Sequence, residues 1–296
     1  MSNGVDFTPA VIFRFSKPFI MIKVLLRQSV NLVPWKIRDQ IRCVPGLAAF
    51  QRWLVRRFIG GESFVHEINA GPGKGLKVMV KLPEDKGLWT GTYETSFVGA
   101  IADAVKPGNT CLDIGSYHGF VGGVMAQRGA AKVFCFDPLP QNVAAIKELI
   151  ELNPSLGFTV RAEAVGEKDG TATFEIMPES SMGKLTASQF QTGCHGAEVI
   201  SVPVRSLDSL LEAGVFPMPS LLKIDVEGAE TGVLTGARKL LAIGNPVIFI
   251  EAHSAELKKN CERILHEAGY EIEKLAGSGA SALVQAGVSH LKAWKK

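Results

Sequence analysis

The chain has 296 residues, of which 46% are hydrophobic, and its formal net charge is +3. This length and apolar content predict a folded globular protein with a substantial buried core. The five cysteines are widely spaced and form no C-x-x-C pair, so they indicate neither a disulfide framework nor a zinc site and favour a reducing cytoplasm.

The charge is concentrated at the N-terminus. Residues 1–60 hold ten Lys or Arg against two acidic residues, whereas the rest of the chain holds 22 against 27. Within 11–60, apolar residues recur at helical spacing at Leu47, Phe50, Leu54 and Phe58, which predicts an amphipathic helix. Packing on the main domain and attachment to an anionic membrane surface or acidic partner are the alternatives; packing is preferred, since charged helix faces are usually solvated. Charges interrupt every apolar run, so neither a transmembrane span nor a signal peptide is predicted.

Helical and strand-like patterns alternate after a Gly-rich connection at 70–88. In chain order they predict a helix at 93–105, strand 109–114, helix 118–128, strand 132–136, helix 139–152, strand 158–165, strand 221–225, helix 229–242, strand 246–251, helix 255–268 and short strands at 270–275 and 281–286. The interval 166–220 breaks this rhythm, and its stretches GTATFEIM and EVISVPVRSL predict paired strands in an insertion. Alternating strands and helices are typical of a doubly wound parallel α/β sheet.

The segment CLDIGSYHGF, residues 111–120, predicts a strand that turns tightly into a helix. Its glycines, Gly115 and Gly119, would let the backbone approach a ligand. Asp113 stands where the dinucleotide fingerprint has its first glycine. A carboxylate there would repel a pyrophosphate but accept hydrogen bonds from an ammonium group. The segment therefore predicts a ligand with an amino acid end.

A second acidic residue ends the next predicted strand. Asp137 follows Asp113 by 24 residues, close to the roughly 20-residue interval at which a Rossmann-like unit places an acid on ribose hydroxyls. An adenosine that carries an amino acid tail satisfies both acids. We therefore predict S-adenosylmethionine as the ligand.

Further acidic residues and a histidine follow later strands. Asp225 ends the apolar run LLKID, and Glu227 and Glu230 come at the start of a predicted helix, where acids can simply interact with the helix dipole. The next strand ends in VIFIEAH, which places Glu251 and His253 beside the same cleft. The other histidines, His66, His118, His195, His266 and His290, show no partner spacing.

Three roles are open for these groups. His253 or Asp225 could be a general base for an alcohol, since an imidazole titrates near neutrality. His253 could instead make only a structural hydrogen bond. The carboxylates and the imidazole could also bind a divalent ion, which ranks third because such sets suit several metals only loosely. No metal is predicted.

Seven segments between about residues 85 and 255 resemble, in the same order, the FkbM family of S-adenosylmethionine-dependent methyltransferases. They read WTGTYE, CLDIGSYHGF, VFCFDPLPQN, AEAVGEKDGTATF, VRSLDSLL, LLKIDVEGAETGVLTGA and IFIEAHS. The resemblance implies a Rossmann-like class I methyltransferase sheet whose last strand is antiparallel. Together with the charge distribution and the broken rhythm at 166–220, it predicts a basic, mostly helical extension at 1–75 and a methyltransferase domain at 76–296 with an insertion at 166–220.

The resemblance also implies an activity and a site. The activity would be O-methylation of a hydroxyl on a sugar, polysaccharide or natural-product intermediate. Independently of the resemblance, the chemistry of the strand-end residues makes His253, Asp225 and Glu251 the candidate catalytic residues. The cofactor would contact Glu94, Asp113, Gly115, Ser116, Gly119, Asp137 and Pro138, with Glu163 or Ala164 near the adenine.

Two other classes of function are the alternatives. An NAD-linked oxidoreductase uses a similar sheet, but Asp113 replaces its first fingerprint glycine. A non-catalytic membrane-associated binding protein would use residues 11–60, which leaves the acids at the strand ends without a role. We therefore expect a cytoplasmic enzyme with a small-molecule or glycan acceptor and no nucleic acid as partner. Residues 11–60 are its candidate contact with the inner face of the membrane.

Overall fold

The computed structural model describes residues 63–176, 183–185, 198–275 and 287–296. The chain divides into two compact units, residues 1–63 with 81–85 and residues 64–80 with 86–296, and the second unit holds the two larger β-sheets. The expected helix at 11–60 lies outside the described residues. The domain boundary at residue 75 therefore stays a prediction.

The described residues form thirteen strands and eight helices. The first ten elements are β1 (Ser63–Glu67), β2 (Lys77–Lys81), α1 (Lys86–Thr90), α2 (Thr95–Ala104), β3 (Thr110–Ile114), α3 (Phe120–Gln127), β4 (Lys132–Phe136), α4 (Pro140–Leu152), β5 (Phe158–Arg161) and β6 (Ala164–Val165). The others are β7 (Gly170–Ile176), β8 (Gly183–Leu185), β9 (Glu198–Arg205), α5 (Leu207–Glu212), β10 (Leu221–Ile224), α6 (Glu230–Thr235), α7 (Arg238–Ile243), β11 (Val247–Ala252), α8 (Ala255–Glu267), β12 (Glu271–Lys274) and β13 (Ser289–Trp294).

The main sheet has seven strands in the order β12-β13-β11-β10-β3-β4-β5. Neighbours from β11 to β5 pair in parallel, and β13 runs antiparallel to both of its neighbours. This is the predicted Rossmann-like class I methyltransferase sheet with its antiparallel strand. The chain proceeds outward from β3 through β4 to β5 and then starts again at β10 on the other side of β3. Ligands of doubly wound sheets bind at such a switch point, beyond the carboxyl ends of the strands.

The core lies around the central strands. Ile114, Ile224 and Ile250 are at most 1% exposed, and all four residues of β10 are buried. Parallel strands that are covered on both faces have continuous apolar sequences, so the sequence predicted the bounds of these strands well. Each such side chain contributes about 1.5–3 kcal/mol of burial free energy.

A second, four-stranded sheet has the order β6-β9-β7-β8. Strands β7 and β9 are antiparallel, with Gly170 opposite Val204 and Ile176 opposite Glu198, so the predicted pairing within 166–220 is confirmed. The predicted strand at 158–165 is two strands, because the chain leaves the main sheet after Arg161 and β6 pairs with β9 in the second sheet.

The predicted helix at 229–242 is also two helices, α6 and α7. A Cβ on Gly236 would lie 2.2 Å from the Gly166 carbonyl oxygen, so the backbone of another segment meets the chain where α6 ends. Helix α7 then begins with its own cap, since the Asp208 carboxylate accepts hydrogen bonds from the backbone N–H groups of Lys239 and Leu240. The predicted strand at 281–286 lies outside the described residues, and the antiparallel strand is described at Ser289–Trp294.

Candidate active site

Acidic side chains lie at one edge of the main sheet, where four parallel strands end. Ile114 in β3 is in register with Phe136 in β4 and with Ile224 in β10, which pairs with Ile250 in β11. Asp113, Asp137, Asp225 and Glu251 each stand within one residue of these positions. The sheet therefore brings together the acids that the sequence analysis singled out.

The turn after β3 depends on glycine. Gly115 has φ +75°, and a Cβ there would lie 1.6 Å from the backbone oxygen of Asp225. The backbone N–H groups of Gly115 and Ser116 both donate to the Phe136 carbonyl, at 3.0 and 3.1 Å. Gly119, also at φ +75°, precedes helix α3. The turn is thus fixed against the ends of β4 and β10.

Asp113 is a fully buried carboxylate that stabilises this turn. Its side chain has no exposed surface, and its Oδ2 accepts a hydrogen bond from the Gly122 N–H at 2.8 Å. Burial raises the pKa of Asp113, while the Lys223 ammonium 3.3 Å from Oδ1 acts to lower it. Asp113 therefore ties β3 to helix α3, and its contact with a cofactor stays a prediction.

Asp137 fixes the opposite side of the turn. Its Oδ2 accepts from the Tyr117 N–H at 2.9 Å, and its Oδ1 accepts from the Leu139 N–H and the Asn142 amide. Burial raises the pKa of Asp137 to about 6 despite these hydrogen bonds. Pro138 lies between Asp137 and the start of α4.

Glu163 and Ala164 lie one strand further out. Glu163 is buried, and its Oε1 lies 2.7 Å from the Nε of Arg161 at the end of β5. Ala164 opens β6 and belongs to the second sheet. Their predicted place near an adenine stays a prediction.

Lys223 is a site residue that the sequence analysis missed. It lies in β10, its side chain is 5% exposed, and its Nζ donates to the Gly115 carbonyl at 2.7 Å. The same ammonium is 3.3 Å from Asp113 Oδ1 and 3.3 Å from Asp225 Oδ2. Burial acts to lower the pKa of Lys223, but Asp225 and Asp113 outweigh burial and raise it, so the ammonium stays charged. A lysine in an apolar run such as LLKID was the available signal, because a buried ammonium needs partners.

His253 lies at the centre of several carboxylates. Its Nδ1 is 2.8 Å from Oε1 of the fully buried Glu230. Its Nε2 is 3.3 Å from Glu227 Oε2, 3.6 Å from Asp225 Oδ1 and 3.7 Å from Glu251 Oε1. Burial acts to lower the pKa of His253, but the Glu230 hydrogen bond and the surrounding carboxylates raise it to about 9. We call Asp225, Glu251 and His253 the acid–imidazole cluster.

A second histidine completes this edge. His290, in β13, stands opposite Glu251 in the antiparallel register, and its Nε2 is 3.1 Å from Glu251 Oε2. Its ring stacks on Phe97 with 4.2 Å between centroids. Burial acts to raise the pKa of Glu251, but His290, His253 and Lys223 together lower it. His290 shows no partner spacing in the sequence, because its partner Glu251 is set by strand register.

Glu94 forms part of the same site. It precedes helix α2 in a left-handed conformation with φ +38°, which is rare for a residue other than glycine. Burial, Glu251 and Asp225 raise the pKa of Glu94 to about 7. Burial and the charges of Glu94 and Asp225 also raise the pKa of the neighbouring Tyr93. A strained backbone and a shifted carboxyl pKa at one position favour a functional role.

This arrangement can bind a positively charged ligand and take up a proton. At the open end of the sheet, burial raises the pKa values of Glu94 and Glu227, and the nearby charges of Asp225 and Glu251 raise them further. Lys223, the lysine beneath them, is already engaged by Asp113 and Asp225. The donor set therefore suits an ammonium, a sulfonium or a metal cation better than a pyrophosphate.

Comparison with known families identifies a methyltransferase domain. Residues 113–272 match the family model described as the methyltransferase FkbM domain. A hexuronic acid methyltransferase, AglP of Haloferax volcanii, is 28% identical over 184 residues, which cover 62% of this chain and 72% of that protein.

Two of the similar solved structures carry the following names. A methyltransferase FkbM from Methylobacillus flagellatus KT aligns with a TM-score of 0.45 and 16% identity over 71% of this chain. The alignment spans 55% of that protein's length. A precorrin-6y C5,15-methyltransferase from Geobacter metallireducens GS-15 aligns with a TM-score of 0.44 and 12% identity over 69% of this chain and 90% of its own.

Proposed function

The chain belongs to the FkbM methyltransferase family, and from this premise we propose that it transfers the methyl group of S-adenosylmethionine to a hydroxyl. The acceptor is a sugar, a polysaccharide or a natural-product intermediate. The observation that carries the proposal is the position of the acid–imidazole cluster at the same strand ends as the glycine turn.

The residues at the turn fit a cationic amino acid nucleoside. Asp137 and Gly115 hold the turn close to the strand ends, and the carboxylates at this edge complement an ammonium and a sulfonium. Bound there, S-adenosylmethionine supplies a methyl carbon that is open to attack by a nucleophile. We infer that it is held by Glu94, Asp113, Gly115, Ser116, Gly119, Asp137, Pro138, Glu163 and Ala164.

The acceptor hydroxyl must then be oriented toward the methyl carbon, and a general base must accept its proton. Orientation alone can supply about 7–11 kcal/mol of the acceleration when the reacting atoms are held in line. We assign the proton to Asp225 or to the neutral form of His253, with Glu251 beside them, because these groups adjoin one another at the carboxyl ends of β10 and β11. Since the pKa of His253 is about 9, the share of His253 that is neutral increases as the pH rises toward 9. Glu230 fixes the imidazole through Nδ1, which turns Nε2 toward Asp225, Glu227 and Glu251.

The proposed function also includes a cellular location. Among the described residues, no helix combines the length and the hydropathy that a membrane span requires. We place the enzyme in the cytoplasm, with residues 11–60 as the segment that would contact the inner face of a membrane. Cosedimentation of the full chain with anionic vesicles, compared with a variant in which Arg52 and Arg56 are changed to glutamine, tests that contact.

The test of the activity is transfer of a radiolabelled methyl group from S-adenosylmethionine to a panel of acceptors. The panel starts with hexuronic acid glycosides, which the name of the Haloferax relative suggests, and includes neutral hexosides. We expect labelled product with at least one acceptor and its loss in the double variant Asp225→Asn, His253→Gln. Glu212→Gln, which changes an exposed residue paired with Lys239, is the matched control. Unchanged turnover in the double variant would exclude the assigned proton acceptors.

A further inference from the structure

We propose that the acid–imidazole cluster binds one divalent cation through Asp225 Oδ1, Glu251 Oε1 and His253 Nε2. One possible ligand atom from each of the three residues lies within 4.8 Å of the other two. The inference deepens the proposed function by naming what the cluster holds, and its catalytic part rests on that function.

The distances within the cluster suit a cation better than direct hydrogen bonds. His253 Nε2 is 3.6 Å from Asp225 Oδ1 and 3.7 Å from Glu251 Oε1, whereas N–H···O hydrogen bonds have separations of about 2.7–3.2 Å. With metal–ligand bonds of about 2.1 Å, neighbouring ligand atoms lie roughly 3.0–3.4 Å apart. The two distances from His253 Nε2 therefore exceed this ligand spacing by only a few tenths of an ångström. Glu227 Oε2, 3.3 Å from Nε2, is positioned to supply a fourth ligand atom.

The independent observation is that a different neighbour anchors the far side of each ligand. Asp225 Oδ2 lies 3.3 Å from the Lys223 ammonium, and Glu251 Oε2 lies 3.1 Å from His290 Nε2. Outside the three ligands, Glu230 holds His253 Nδ1 at 2.8 Å. Metal-binding histidines commonly donate their other ring N–H to a carboxylate in this way, and such partners orient the ligand atom toward the metal.

Charge and ligand type indicate which cation fits. Two carboxylates and an imidazole that has released its Nε2 proton to make room for the metal offset the charge of a divalent ion. Oxygen ligands suit Mg²⁺, Ca²⁺ and Mn²⁺, while an imidazole suits later transition metals, so Mn²⁺ satisfies both ligand types. We therefore choose Mn²⁺ as the probe.

The cation takes over the role of His253 in the proposed reaction, because proton acceptance and metal binding use the same Nε2 lone pair. An acceptor hydroxyl coordinated to the cation loses its proton to solvent more readily. The electron pair of the broken O–H bond forms the new O–C bond, and the electron pair of the S–C bond leaves with the sulfur. Charge stays balanced, since one proton is released and one sulfonium becomes a neutral thioether.

The test is calorimetric titration of EDTA-treated full-length protein with Mn²⁺, supported by electron paramagnetic resonance of the bound ion. It uses neither methyl donor nor acceptor, so its result does not depend on the proposed function. We expect one site, at least tenfold weaker binding in Asp225→Asn and His253→Gln, and a 10–100-fold loss in Glu230→Gln. Glu212→Gln should bind as the unaltered protein does. If Asp225→Asn fails to fold, as judged by circular dichroism, His253→Gln and Glu230→Gln still decide the question.

Two results would overturn the inference. One is the absence of a saturable Mn²⁺ site at millimolar concentration, and the other is equal affinity in all the variants. The catalytic part is tested separately by methyl transfer before and after EDTA treatment. Activity that is lost with EDTA and restored by Mn²⁺ or Mg²⁺ supports it, whereas activity unaffected by EDTA contradicts it even where the ion binds.

Discussion

Lys223 is a charged side chain within a buried strand, and it joins the glycine turn after β3 to the acid–imidazole cluster. Removing one member of a buried ion pair leaves an uncompensated charge, which costs about 3–5 kcal/mol. We therefore expect Lys223→Met to lower the free energy of unfolding by about that amount, because Asp113 and Asp225 lose their shared partner. Urea denaturation measures the change.

The control for Lys223 is Lys239→Met. Lys239 pairs with Glu212 on the surface, where both side chains are more than half exposed. Exposed ion pairs contribute little. Equal losses of stability in the two variants would show that the buried network does not contribute as described.

Gly115 is a second residue at which a single added methyl group should matter. A Cβ there meets the Asp225 backbone oxygen at 1.6 Å, and φ is +75°. We expect Gly115→Ala to destabilise the protein and to abolish donor binding, because the end of β10 must move. Denaturant unfolding and calorimetry with S-adenosylmethionine check both effects.

Gly108→Ala is the matched control for that substitution. Gly108 has φ +87°, but a Cβ added there would meet no atom within 4 Å, so only the left-handed backbone is penalised, by about 1–2 kcal/mol. Gly115→Ala should exceed this loss by at least about 2 kcal/mol, the cost of a forced backbone shift. Similar losses would mean that close approach to β10 is unimportant.

At the level of elements, the start of helix α5 is held by Asp169. Its carboxylate accepts hydrogen bonds from the Ser209 hydroxyl at 2.6 Å and the Ser206 N–H at 2.8 Å, and Arg205 Nε lies 2.7 Å away. These bonds lower the pKa of Asp169 to about 2. Because the folded-state pKa lies below the unfolded value, this stabilisation is fully present above about pH 4 and is lost as the pH falls toward 2.

The expected result is therefore pH-dependent. Asp169→Asn should lower the urea midpoint at pH 6, and the difference from the unaltered protein should shrink between pH 4 and pH 2. Midpoints measured across this range test the sign. A difference that stays constant with pH would show that the carboxylate charge is not what stabilises the start of α5.

The bounds of the strands and helices show which features of the fold could be predicted from the sequence and which could not. Strands β3, β4, β10 and β11 were predicted within a residue or two, because buried apolar runs have clear ends. The break between α6 and α7 was missed, since it depends on the close approach of Gly166 from a distant part of the chain.

For the molecule as a whole, the order of strands decides which residues meet. Apolar runs that end in Asp113, Asp137, Asp225 and Glu251 predict acids at one edge once the sheet is known to be parallel. Lys223, Glu230 and His290 could not be assigned in this way, because their partners are set by strand register and helix placement. The sequence therefore indicated the location of the site but not the network that holds it.

The most direct test of the central claim is calorimetric titration of the purified chain with S-adenosylmethionine, S-adenosylhomocysteine and NAD. We expect the first two to bind, and binding to be lost in Asp113→Ala and Asp137→Ala but kept in Glu212→Gln. Binding of NAD alone, or of none of the three, would contradict the assignment of a methyl-donor site at the ends of these strands.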